Sequence, residues 1–188
     1  VSSIRLFILG SFDERGPMHG HGLLLLAEEE HTDEWTDFAP SAVYAAMKRL
    51  AAEELLVKDR VEKPGNYPKR QFYRISESGE RALSELRTEG LTAFAIKPDP
   101  FDLALARLDP AALDSLSTII EERLARLREV AAQKQAHFEE ITPLLTMAET
   151  WAMRHQISRW RSEADWHEEL LAVLPEIIAD EKSRRETT

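Results

Sequence analysis

The chain has 188 residues, 43% of them hydrophobic and 31% charged, with a formal net charge of −10; such a length holds one generous domain, or a small head with an accessory element. It contains no cysteine, which excludes disulfides and thiolate metal centres, and its longest strongly apolar runs, Leu23 to Ala27 and Leu170 to Leu174, fall far short of the roughly 20 residues that cross a bilayer. The N-terminus shows no basic stretch leading to an apolar run and a small-residue cleavage site, so it does not read as a secretory signal, and a cytoplasmic protein without membrane contact is expected.

Ile4, Leu6, Phe7, Ile8, Leu9 and Phe12 predict a short buried helix from about Ser2 to Glu14, ended by Gly16-Pro17. A second helix starts near Met18 to His21 and carries Leu23 to Ala27 before the acidic stop Glu28-Glu29-Glu30. The segment His31 to Phe38 is polar apart from Trp35 and Phe38 and reads as a turn region whose aromatics pin it to the core. Pro40 and Ser41 then open a third helix, because a proline in the first turn lacks only an N–H that has no partner there. Val43, Met47 and Leu50 make its buried stripe and leave Ser41, Tyr44, Ala45, Lys48 and Ala52 outward.

Leu55 to Val61 and Gln71 to Ile75 are β-compatible stretches separated by Glu62-Lys63-Pro64-Gly65-Asn66-Tyr67-Pro68-Lys69-Arg70, whose Pro-Gly-Asn cluster predicts a hairpin with a long basic tip. Ser76 caps a further helix, with Leu83 and Leu86 inward. Three helices, a hairpin and a helix, with the third helix exposed and a cationic hairpin behind it, is the layout of a winged helix-turn-helix. The expected fold is therefore mostly α with a small β-hairpin wing: a winged-helix DNA-binding domain over 1–90, a connector over 91–109 marked by Lys97-Pro98-Asp99-Pro100, and a C-terminal helical dimerisation domain over 110–188. In that last part Asp109-Pro110 is expected to initiate a long helix striped by Leu113, Leu116, Ile120, Leu124, Leu127 and Ala131. Pro143 breaks it, and Leu144 to roughly Asp180 forms a second helical stretch with Trp151, Trp160, Trp166 and Leu170, ended or bent at Pro175; Glu181 to Thr188 is expected to fray.

An acidic chain is at first sight a poor partner for a polyanion, but its charge is unevenly spread. Residues 40–74 carry Lys48, Arg49, Lys58, Arg60, Lys63, Lys69, Arg70 and Arg74 against only Glu53, Glu54, Asp59 and Glu62, while the blocks on either side are acidic. A charge cluster is also what an ordinary solvated face looks like; its coincidence with an exposed helix and a wing favours DNA. Lys48 can donate to phosphate or guanine, Tyr44 and Ser41 to phosphate, and Ala45 allows close approach. The tip, with Lys63, Lys69 and Arg70, can follow the backbone or enter the minor groove. His19, His21 and His31 lack the further donors that a metal site needs, so no metal or cofactor is expected, and no nucleophile, phosphate loop or acid–base pairing marks an enzyme. Trp151, Trp160, Trp166 and Phe94 read as core or dimer contacts, with an effector pocket between arms as the alternative.

Ile8-Leu9-Gly10, Gly16-Pro17-Met18-His19-Gly20, Ser41-Ala42-Val43-Tyr44, Lys48-Arg49-Leu50, Leu55-Leu56-Val57 and Phe72-Tyr73-Arg74-Ile75-Ser76-Glu77-Ser78-Gly79, in this order, resemble the PadR family of transcriptional regulators over residues 4 to about 87. Asp99-Pro100-Phe101 and Glu121-Glu122-Arg123-Leu124 are similar to its C-terminal dimerisation region. The sequence departs where the family commonly has Tyr in place of His21 and Pro in place of Ala46. The resemblance implies a homodimeric repressor of an inverted-repeat, double-stranded DNA operator, released by a small aromatic or drug-like effector. It adds Tyr73 at the end of the wing, so the expected DNA-binding set is Ser41, Tyr44, Lys48, Arg49, Lys63, Lys69, Arg70 and Tyr73. The expected dimer set is Leu113, Leu116, Ile120, Leu124, Leu127, Trp151, Trp160 and Trp166, holding two recognition helices roughly 34–36 Å apart. The alternative is a winged-helix adaptor that binds protein or senses a ligand without touching DNA.

Overall fold

Helix α1 (Ser3–Arg15) buries Ile8, Leu9 and Phe12, positions three and four apart that share one face of a helix. The computed structural model in which it is seen describes residues 2–63, 65, 68–94 and 98–186, and the chain forms two units, Val1–Ile96 and Lys97–Thr188.

In the first unit, strand β1 (Met18–His19) leads directly into α2 (Gly20–Glu29), and a short 3-10 turn at Pro40–Ala42 leads into α3 (Val43–Ala52). Strands β2 (Leu56–Glu62) and β3 (Arg70–Ile75) and helix α4 (Glu77–Thr92) complete it. Leu23 and Ala27 of α2, Val43, Ala46, Met47 and Leu50 of α3, Leu56 of β2 and Leu83 of α4 close with α1 on a single core. Each large aliphatic chain buried there contributes roughly 1.5–3 kcal/mol. The sheet has the antiparallel order β1-β3-β2, so the expected hairpin gains a third strand, with Met18 opposite Tyr73 and His19 opposite Phe72. Between Lys58 and Val61 the β2 register shifts, and the carbonyl of Arg60 in this bulge accepts from Gln71 Nε2 at 2.9 Å.

Helix α3 ends in a Schellman turn. Glu54 takes a left-handed φ of 60°, and the Leu55 N–H reaches back to the Leu50 carbonyl at 2.9 Å. That turn is tied to α4 by Ser76, whose hydroxyl donates to the Glu54 carbonyl at 2.8 Å and accepts from the Gly79 N–H at 3.0 Å. Gly79 is there because a Cβ would lie 2.2 Å from the Leu55 carbonyl oxygen.

One expectation for this unit is corrected. Phe38 does pack on the core, 5.6 Å from the Phe7 ring, but Trp35 does not: it stands exposed, its indole N–H spent on the Glu30 carbonyl at 2.9 Å. The expected Pro-Gly-Asn turn lies largely outside the described residues, which include only Gly65 of those three.

In the second unit the expected connector contains a helix of its own, α5 (Pro100–Leu105), capped by Asp99 through a 2.9 Å bond from the Phe101 N–H. That N–H first, and then Arg123, hold the Asp99 carboxyl below its ordinary range. Asp109 does accept from the Ala111 N–H at 2.9 Å, yet the turn it starts is brief. A 3-10 segment (Leu113–Ser115) intervenes, and the long helix α6 runs Leu116–Ile141. After the break at Thr142–Leu144, α7 runs Met147–Glu186, so that it does not end at Pro175 and includes most of the tail expected to fray. Proline leaves one carbonyl a turn earlier without its helical bond, which the packed helix tolerates.

In the second unit the α6 stripe expected at the dimer seam packs within the chain. Leu113, Leu116 and Ile120 are buried against Leu170 and Leu174, and Leu124 and Leu127 against Ala164 with Trp160 alongside. An amphipathic stripe needs an apolar partner, and here the partner is α7 of the same chain. Polar pairs run along the same hairpin: Lys182 Nζ to Asp114 at 2.9 Å and Arg161 to Gln135 at 3.0 Å, with Arg128 reaching Glu168. Trp151 and Trp166 remain exposed. No helix among the described residues is long and apolar enough to cross a membrane.

Candidate nucleic-acid interface

The face that α3 turns away from the core carries Ser41 from the preceding turn, then Tyr44, Ala45, Lys48, Arg49 and Ala52, all exposed. Its position is set from below by Val43, Ala46, Met47 and Leu50, each at most 3% exposed. Tyr44 is not loose on this face. A Cβ on Gly20 would fall 2.5 Å from its ring, so the ring lies against bare backbone at the start of α2. The Lys48 ammonium sits 4.6 Å from the centre of that ring, a cation–π contact that steers the side chain without neutralising it. Tyr44 and Lys48 are thereby presented together.

Behind α3 the wing sorts its cations into two kinds. Arg60 is spent: its Nε donates to Glu62 at 2.6 Å and Nη1 to Asp59 at 2.8 Å. These bonds, the Glu62 one first, raise its pKa above the ordinary guanidinium value, while its guanidinium lies 4.2 Å from the Phe72 ring centre. Lys48, Arg49, Lys63, Lys69 and Arg70, by contrast, make no ion pair with a described residue. Lys63 and Lys69 flank the tip, and Arg70 opens β3 opposite Glu62. Seven of the expected contact residues are therefore exposed, on the α3 face or on the wing. The eighth is not: Tyr73 is half-buried and packed on the hydrophobic core, because its position on β3 points the ring inward, where it anchors the wing.

The sequence reading missed His19. Its Nδ1 accepts the Gly22 N–H at 2.7 Å and caps α2, its ring meets Phe72 edge-on with centroids 5.0 Å apart, and Nε2 lies 3.4 Å from Arg70 Nη1. The available signal was position: a polar side chain four residues before the first buried leucine of a helix is where a cap belongs. Among the described residues no three His, Cys, Asp or Glu side chains gather as a metal site.

Three packed helices, a three-stranded antiparallel sheet ending in a wing, and an outward third helix define a winged helix-turn-helix. Residues 8–85 match the transcriptional regulator PadR-like family. Among solved structures the chain is similar to Bacillus subtilis PadR in complex with operator DNA, at 18% identity over 93% of this chain and 98% of that one, with a TM-score of 0.68. It is similar to Bacillus subtilis PadR in complex with p-coumaric acid, at 17% identity over 92% and 98%, TM-score 0.68. A third similar structure is the PadR-like transcriptional regulator BC1756 of Bacillus cereus, at 16% identity over 90% and 94%, TM-score 0.58. At these identities the likeness is one of fold. No curated protein matches the chain.

Proposed function

We propose that the protein is a homodimeric repressor that binds an inverted-repeat DNA operator through α3 and the wing and is released by a small aromatic effector. The observation that carries the DNA reading is the division of charge: in a chain of net charge −10, the cations left without an acidic partner among the described residues of the wing and α3 are those on their exposed surfaces. A duplex backbone supplies the anions they lack. The operator complex of the Bacillus subtilis relative supports the reading, and its p-coumaric acid complex supports an aromatic acid as the class of effector. Ser41, Tyr44 and Lys48 are assigned to phosphate first, with Lys48 also within the chemistry of guanine O6 and N7; Lys63, Lys69 and Arg70 follow the backbone beside the reading helix.

Fluorescence anisotropy with a labelled duplex from the upstream region of the protein's own operon tests this. Binding is expected to weaken as salt rises, and Lys48→Ala to weaken it and reduce the slope of log K against log salt by about 1. An unchanged affinity for Lys48→Ala removes that residue from the contact set. A wild-type protein indifferent to duplex even in dilute buffer removes the function.

A further inference from the structure

We infer that His19 and Arg70 form a two-donor pinch for one phosphate oxygen of the duplex backbone, at the junction of β1, α2 and β3; this rests on the DNA-binding reading above and adds to it a residue that the sequence reading left without a role. The His19 imidazole accepts the Gly22 N–H through Nδ1 at 2.7 Å. A neutral imidazole that accepts at one nitrogen carries its proton on the other, so Nε2 is a donor. Arg70 Nη1, 3.4 Å away, is also a donor, and a guanidinium has no acceptor to offer. Two N–H groups at that separation do not bond to each other. They converge on an acceptor that comes from outside, and neither side chain has a carboxylate partner among the described residues.

The direction of the Nε2–H is fixed. The cap bond holds one edge of the ring, Phe72 lies edge-on at 5.0 Å, and the backbone of His19 is paired with that of Phe72 across the sheet. Gly20, the next residue, lies under the Tyr44 ring, so the pinch adjoins the outward face of α3. A backbone phosphate seated there would be shared between α2, the wing and the neighbourhood of Tyr44 and Lys48. His19 is half-buried and Arg70 exposed, which suits an oxygen at the edge of a long polyanion.

The test uses the full chain and the same upstream duplex. His19→Asn keeps a side-chain oxygen to cap α2, since asparagine is among the best capping residues, but it has no donor at the place of Nε2. Its circular dichroism and melting temperature are expected to match the wild type while duplex affinity falls about tenfold, the size of a hydrogen bond to a charged group. Arg70→Ala is expected to weaken binding and lower the salt slope by about 1. The double variant should bind within about twofold of Arg70→Ala, because one phosphate serves both donors. Long-range proton–nitrogen NMR correlations of the free protein should place the ring proton on Nε2. A proton on Nδ1, or a folded His19→Asn that binds duplex as tightly as the wild type, overturns the pinch and leaves the DNA reading intact. Saturation of the His19 signals by inorganic phosphate alone overturns its assignment to duplex. Failure of the wild type to bind duplex overturns both readings.

Discussion

A few individual residues hold the reading head in place, and Gly79 shows how closely. The first turn of α4 passes so near the end of α3 that a methyl at Gly79 would meet the Leu55 carbonyl oxygen at 2.2 Å and Ile75 Cγ1 at 2.7 Å. Alanine is the better helix former by about 1 kcal/mol, so propensity alone favours Gly79→Ala. The contact is with backbone, which cannot rotate away, and overpacking of this kind costs about 1–3 kcal/mol. We therefore expect Gly79→Ala to lower the urea midpoint of the isolated protein with little change in m-value; a midpoint at or above the wild type would show that the α3–α4 junction yields. The same junction explains why Ser76 could be picked from sequence and Gly79 could not. A cap is a local pattern, whereas the nearness of Leu55 is a product of the whole unit.

At the scale of elements, legibility followed the range of the interaction. The inward stripe of α3 and its outward face were readable because spacings of three and four report one side of a helix whatever packs on it. Strand β1 was not, since two residues show no alternation and Met18-His19 becomes a strand only by pairing with β3. Tyr73 was drawn into the contact set by resemblance, and β3 sets it half-buried against the core. The stripe from Leu113 to Leu127 announced that a partner was required and gave no sign whether it lay in the same chain or another. Since the partner is α7, the hairpin's stability depends on that seam within one molecule. Ile120 is 1% exposed, and Ile120→Ala should cost about 2–5 kcal/mol by leaving a cavity. Its neighbour Ile119 is 51% exposed, and Ile119→Ala should stay within about 0.5 kcal/mol of the wild type. Paired chemical-denaturation curves separate the two; equal losses would mean that α6 buries both faces.

At the scale of the whole molecule, repression of an inverted repeat asks for two heads on one two-fold axis, and the α6 stripe is already covered by α7 of the same chain. Exposed apolar side chains remain on the second unit for that purpose: Trp151, Trp166, Val173 and Met147. Tryptophan combines a large apolar body with a polar edge, which makes it a frequent anchor of interfaces, and Trp151 at 62% exposed is poorly explained by the folding of one copy. We expect sedimentation equilibrium to return twice the 21.5 kDa chain mass. A Trp151→Ala, Trp166→Ala variant should keep its helix content while its dimer dissociates at higher concentration. Because each half-site then binds alone, its affinity for the palindrome should fall toward that of a single half-site. A wild type that sediments as one chain at every concentration would sink the dimer, and unchanged association in the double variant would move the interface to another face of the second unit.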